Sequence, residues 1–185
     1  MTLITNYKNF NMINEGINNR SVQFENRTNE HYEFISNYFK PYMSLEEFLT
    51  VDYLKVVVMR INNEIVGLTL LVTYNKKVSK VKIVYTIIKK EYRNKGLNQE
   101  LLNFVFNYAK DIRYEYVIAN IRESNKSSLN SFLKYGFVIS RKKGVYESGE
   151  KKIRVFKKIN YDSNSDEQII EDDNAISSNE QTPTE

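Results

Sequence analysis

The sequence predicts a mixed α/β protein with a mostly antiparallel sheet and helices packed on it. Three observations carry that prediction. Two apolar, strand-length runs flank Asn62-Asn63, a hairpin signal. The stretch KIVYTIIKKEYRNKGLNQELL (82–102) reads as an apolar strand, a basic turn and an amphipathic helix. A further strand-sized run, YVIANI (116–121), follows that helix, so the strand–helix–strand unit from 81 to 121 needs a parallel crossover.

The elements follow in order. Residues 29–39 place Tyr32, Ile35 and Phe39 on one helical face, and Pro41 ends that helix. Ser44 followed by Glu47 has the spacing of a capping box for a short second helix, SLEEFL. KVVVMRI (55–61) and EIVGLTLLVTY (64–74) form the hairpin, KKVSK turns the chain, and VKIVYTII (81–88) completes a three-stranded meander. Leu97, Leu101, Val105 and Tyr108 recur at helical spacing, so a helix is expected from about Leu97 to Lys110. After YVIANI, Ser124 is positioned to cap a helix with the stripe Leu129, Phe132 and Leu133. Gly136 stands where a left-handed stop is needed. FVISRKKGVY and KKIRVFKKI then pair across SGEK.

Composition narrows the chemistry. The chain has 185 residues, 41% of them hydrophobic, enough for one domain with a sizeable core. It has no cysteine, which excludes disulfides, zinc–thiolate sites and a cysteine nucleophile and suits a cytoplasmic protein. With one histidine besides, a Ser-His-Asp triad or a transition-metal site has little support, and no metal is expected. His31 itself is read as a partly buried or surface residue of the first helix. The longest apolar run, IVGLTLLV (65–72), is strand-sized rather than membrane-spanning, and the first residues lack the apolar centre of a secretory signal.

Charge is divided unevenly. All 27 Lys and Arg fall before residue 161, beside 15 of the 23 acids, a balance of +12; residues 161–185 carry the other eight acids and no base. The sequence thus divides into a basic domain (1–160) and an acidic tail (161–185) too polar to bury its own ordering cost, expected to be disordered. The basic domain favours anionic partners: a phosphorylated cofactor, nucleic acid or an acidic protein surface.

The turn around Arg93, Asn94, Lys95 and Gly96 aims backbone N–H groups and positive charge at one point, as phosphate-binding helix starts do. Neither GxxxxGK[ST] nor a dinucleotide-type glycine triplet is present. Two segments resemble motifs of the GNAT superfamily of acyl-CoA N-acyltransferases, over about residues 50–159. Arg93, Asn94, Lys95, Gly96, Leu97 and Asn98 resemble the family's pyrophosphate-binding loop. Asn98 departs from it, because Gly or Ala is usual there. Asn125, Ser128, Phe132, Tyr135, Gly136 and Phe137 resemble its second motif.

The resemblance implies a GNAT-like fold and acetyl-CoA as acyl donor. Its diphosphate would lie on the amides of the loop, helped by Lys89 and Lys90. Its pantetheine arm would pair with the backbone of Ile87 and Ile88 and bond to Asn125, beside Ser128 and Phe132. It implies transfer of an acetyl or short acyl group to an amine acceptor. It also marks two departures. Phe132 stands where the family carries a Tyr acid, and Lys82, Val84 and Asn120 stand where it often carries a base. Tyr85, Asn120 and Glu123 are the remaining catalytic candidates. Glu123 reads better as a solvated loop charge. Tyr85, expected on the sheet face opposite Val84, reads better as packing. The aromatic cluster Tyr38, Phe39 and Tyr42 reads as core, or by resemblance as a wall of the acceptor pocket. The competing reading is a catalytically weak or inactive GNAT-fold binding module, with nucleic-acid contact through KIRVFKK as a further alternative.

If the acidic tail shields the basic domain, deleting residues 162–185 will tighten binding of anionic ligands at low salt. Unchanged affinity in that titration removes the shielding role.

Overall fold

The computed structural model describes residues 19–41, 43–73 and 79–161. Tyr42, most of the KKVSK turn and the acidic tail beyond Tyr161 lie outside the described residues. The chain runs β1 (Arg20–Glu25), α1 (Asn29–Ser36), α2 (Leu45–Thr50), β2 (Leu54–Ile61), β3 (Glu64–Thr73), β4 (Lys80–Ile88), a 3-10 turn (Lys90–Tyr92), α3 (Leu97–Asp111), β5 (Tyr116–Arg122), α4 (Lys126–Lys134), β6 (Val138–Val145) and β7 (Lys151–Lys158). The sheet order is β1-β2-β3-β4-β5-β7-β6, antiparallel throughout except for the parallel pair β4–β5. The mixed, mostly antiparallel sheet is thus present, with the crossover through α3.

Most elements follow the local chemistry. Asn62 and Asn63 both take positive φ (51° and 66°), the backbone that turns a two-residue hairpin with the twist of its strands. Ser44 and Glu47 cap α2 reciprocally: the Glu47 N–H donates to Ser44 Oγ, and the Ser44 N–H to Glu47 Oε2. Helix α3 buries Leu97, Leu101, Leu102, Val105, Tyr108 and Ala109 against one face of the sheet. Each such large apolar side chain contributes about 1.5–3 kcal/mol. Leu129, Phe132 and Phe137 join the same layer from α4 and its exit, so α3 and α4 share a face. Helices α1 and α2 cover the other face over β2, β3 and β4.

The structure corrects four expectations. A strand, β1, precedes the helices and pairs along β2. Helix α1 ends at Ser36, well before Pro41, leaving Phe39 45% exposed. Asn125 rather than Ser124 caps α4, accepting the Ser128 N–H at 3.1 Å. Its stripe excludes Leu133, which is exposed.

His31 is fully buried, and its place explains how β1 is held. Its Nδ1 accepts the Thr28 N–H at 3.2 Å, closing the start of α1 in the way a capping-box glutamate does. The ring proton therefore sits on Nε2, which donates to Glu25 Oε2 at 3.0 Å. Arg60 of β2 grips the same carboxylate with Nε and Nη2, at 2.8 and 2.9 Å, and reaches Glu30 of α1 at 2.8 Å. One charged cluster thus joins β1, β2 and α1. Burial pushes the Glu25 carboxyl up, but bonds from Arg60, Gln23 and His31 and the charge of Arg60 together hold it below its ordinary 4.5. A depressed carboxylate stabilises the fold above the unfolded value and loses that contribution as pH falls through the folded one. Glu25→Gln should therefore lower stability at neutral pH and flatten its decline below about pH 4.5. Chemical denaturation across that range checks it; an unchanged acid limb contradicts the assignment.

Candidate functional site

The site begins with an irregularity in β4. Opposite β3, Leu70 pairs with Tyr85 but Leu71 pairs with Ile83, so Val84 is an extra residue, a β-bulge. The alternation of side chains resets there. Val81 and Ile83 face α3, whereas Val84 and Tyr85 both pack toward α1 and α2. This overturns the expectation that Tyr85 points away from Val84. Beyond the bulge Ile88 returns to the α3 side, over Gly67; a Cβ at Gly67 would sit 2.8 Å from Ile88 Cδ1.

The bulge coincides with the end of the parallel ladder. β4 and β5 pair only from Lys80↔Tyr116 to Ile83↔Ala119, while β5 stays paired with β7 as far as Arg122↔Lys152. Between Val84–Ile88 and Asn120–Arg122 no strand intervenes among the described residues. The Lys89 N–H bonds to Val66 O at 2.9 Å, and by antiparallel alternation Ile87 turns its main-chain groups to β3. Thr86 and Ile88 therefore turn theirs to the gap. Of the two residues expected to hold a pantetheine arm, Ile88 borders the opening; Ile87 is buried under α1 and α2.

Thr86 adds a feature that no sequence motif signalled. Its hydroxyl and that of its cross-strand partner Thr69 are buried without a hydrogen-bond partner among the described residues. Such groups are uncommon in folded proteins.

The mouth of the gap is the predicted basic loop. Asn94 (φ 61°) and Gly96 (φ 79°) are both left-handed, which curls the chain into the start of α3. Gln99 and Glu100 donate to Gly96 O, and the amides of Asn94, Lys95, Gly96, Leu97 and Asn98 make no hydrogen bond among the described residues. No atom lies within 4 Å of a Cβ built on Gly96, so the cradle is open. Arg93 Nε donates to Ile88 O at 3.0 Å, fixing its guanidinium at the loop, and the Lys95 ammonium lies 5.3 Å from the Tyr92 ring centre. Lys89 is instead held by Glu64 across the sheet, which raises its pKa and directs it to that partner. The Asn98 side chain donates to Ser131 Oγ at 2.7 Å, tying α3 to α4.

The second motif is placed beside this opening. Asn125 and Ser128 start α4. Phe132 is buried in the core, edge-on to Phe137 at 4.8 Å. Asn120 Oδ1, at the gap end of β5, accepts from Arg154 Nε at 3.3 Å. Glu123 stands past the end of β5, half exposed and 3.9 Å from Lys151. Tyr85 stacks on Phe39 with centroids 5.3 Å apart, and its phenol is near enough to Arg122 to act on that charge. Tyr85 also lines an apolar pocket with Tyr32, Ile35, Pro41, Met43 and Phe48, on the α1 and α2 side. The gap is thus bordered by Tyr85 on one bank and Asn120 on the other.

Comparison with known proteins identifies the family and the fold. The model of the acetyltransferase (GNAT) family matches residues 21–137. The chain belongs to the GNAT acetyltransferase family. No curated protein sequence matches it. Its fold is similar to that of a probable acetyltransferase from Staphylococcus epidermidis (TM-score 0.66, 17% identity, covering 76% of this chain and 99% of that one). It is also similar to Ard1 from Thermoplasma volcanium (0.62, 13%, 76% and 99%) and to the spermidine/spermine N-acetyltransferase SpeG from Vibrio cholerae (0.59, 18%, 74% and 92%). At these identities the likeness is one of fold.

In this GNAT chain the buried Thr86 hydroxyl yields a prediction. Thr86→Val should stabilise the free protein by roughly 1 kcal/mol, because a buried hydroxyl without a partner costs the free protein, and if a bound coenzyme A supplies that partner it should also weaken coenzyme A binding several-fold. Thermal melts with and without coenzyme A check it. Equal affinity in the variant would contradict a ligand role.

Proposed function

We propose that this protein is an acyl-CoA-dependent N-acyltransferase, moving an acetyl or another short acyl group to an amine. The observation that supports the reading best is the continuity of two features. The unpaired cradle at Asn94–Asn98 opens directly into the gap that the Val84 bulge leaves beside β5.

The residues fit the donor. The cradle amides and the charges of Arg93 and Lys95 suit a diphosphate, each charge-assisted bond contributing roughly 1.5–3 kcal/mol. Thr86 offers main-chain groups and Ile88 its N–H along the opening, and Asn125 and Ser128 stand at the α4 side. A β4 N–H facing the gap is the natural donor to the carbonyl oxygen as it gains charge.

Proton transfer is handled without an obvious acid or base. Phe132 carries no proton and is enclosed by the core. Glu123 is turned toward Lys151. The acceptor's nitrogen attacks the thioester carbon, the carbon–sulfur bond breaks, and the amine's proton passes through water. The sulfur, as a thiol of pKa about 8.5, is a tolerable leaving group unaided. Holding donor and amine together is worth roughly 7–11 kcal/mol, more than the about 10²–10⁴-fold that an acid–base pair adds.

Coenzyme A should raise the melting temperature of the protein, and Gly96→Glu, which adds a carboxylate to the cradle, should abolish the shift. Release of free thiol from acetyl-CoA on adding amines then separates an enzyme from a binding module. A thermal shift with no thiol released from any amine would favour the binding module.

A further inference from the structure

The loop that leads from β5 into α4 is short and tightly turned. Between Arg122, which ends β5, and Lys126, which begins α4, stand only Glu123, Ser124 and Asn125. The Asn125 N–H bonds to Arg122 O at 2.9 Å, closing a β-turn, and the Lys126 N–H bonds to Ser124 O at 2.9 Å. Asn125 (φ −84°, ψ 65°) is thus the central residue of an inverse γ-turn. Its direction depends on how Ser124 is held.

Ser124 is held by Glu150, from the turn between β6 and β7. Its N–H donates to Glu150 Oε1 at 3.1 Å, and its hydroxyl donates to the same oxygen. Arg122 Nη1 donates to Glu150 Oε2 at 2.9 Å, so one carboxylate grips the loop at two of its residues. Bonds from the Ser124 hydroxyl, Arg122 and the Ser124 N–H hold the Glu150 carboxyl down to about 2, and it stays ionised at any working pH. The turn that carries it is closed by its own bonds, Gly149 N–H to Tyr146 O at 2.8 Å and Tyr146 N–H to Glu150 O at 2.9 Å. It is also joined to the loop by Glu123 N–H to Lys151 O at 3.0 Å.

Helix α4 has other means of support. Asn125 Oδ1 caps it, and Ser131, Leu129 and Phe132 fix it to α3 and the core. What Glu150 adds is control of the residue before the cap. With Oδ1 taken by the Ser128 N–H, the Asn125 amide has only Nδ2 to offer a ligand. We propose that Glu150 is a positioning residue for the acyl donor: through Ser124 it fixes the Asn125 amide so that Nδ2 donates to a carbonyl oxygen of the pantetheine arm. The inference rests on the acyltransfer reading, which brings that arm beside α4.

Calorimetry of coenzyme A binding to the full chain tests it through a double-mutant cycle. Glu150→Ala should weaken binding roughly fivefold, and Glu150→Gln, which still presents an oxygen to Ser124, should restore most of it. Asn125→Ser keeps a capping oxygen but removes the amide donor, so it should weaken binding by a similar factor. In the Asn125→Ser background, Glu150→Ala should cost nothing further, because its effect runs through that amide. Should Glu150→Ala fail to fold, Ser124→Ala takes its place in the cycle. An unchanged dissociation constant in Glu150→Ala overturns the proposal. So does a loss of equal size with and without the Asn125 amide, the result a purely structural turn gives. Absence of binding by the unaltered protein sinks the acyltransfer reading and this proposal with it, whereas binding without coupling overturns this proposal alone.

Discussion

The extra residue at Val84 is the constraint on which the site depends. An uninterrupted β4 would pair with β5 along its whole length and close the sheet over the place where a ligand must lie. The bulge ends that pairing after Ile83, turns Tyr85 to the α1 and α2 side and returns Ile88 to the α3 side. It leaves the main-chain groups of Thr86 and the Ile88 N–H without a strand to bond, the Ile88 carbonyl being taken by Arg93. Groups of that kind are costly to bury unpaired, and an extended, hydrogen-bonding ligand, as the proposed function requires, would pair them.

The loop that follows completes the arrangement by geometry rather than by side-chain chemistry. Two left-handed residues, Asn94 and Gly96, bring successive amides to one side, and α3 adds its unpaired first turn. Arg93 is tied to Ile88 O, so the cationic loop and the end of β4 are one unit. The opposite wall is firm for a different reason. Asn98 bonds to Ser131, and Phe132 packs on Phe137, which ties α4 to α3. Binding and support are thus divided between main chain and side chains. Asn98 does supporting work at a position where the resemblance implied a small residue close to phosphate.

The sequence revealed what depends on neighbours along the chain. Periodicity marked α3 and the meander, Asn62-Asn63 marked the hairpin, and Gly96 before an amphipathic run marked the cradle. It concealed what depends on residues far apart. RSVQFE has no strong alternation, and its strand exists because β2 pairs with it and because Arg60 and His31 hold Glu25. Nothing near Val84 distinguishes a bulge from a regular strand, so simple alternation puts Tyr85 on the wrong side. His31 offers a polar ring that reads as a surface group until Thr28 and Glu25 are brought to its two nitrogens. Lys89 looked available to a phosphate because Glu64 is distant in sequence.

Amide hydrogen exchange with and without coenzyme A tests the central claim most directly, because it reads the gap and the cradle residue by residue. Coenzyme A should slow exchange at Thr86 and Ile88 and across Asn94 to Asn98, while the Ile87 amide, already bonded to β3, changes little. Slowing elsewhere with no change at these amides would contradict the account.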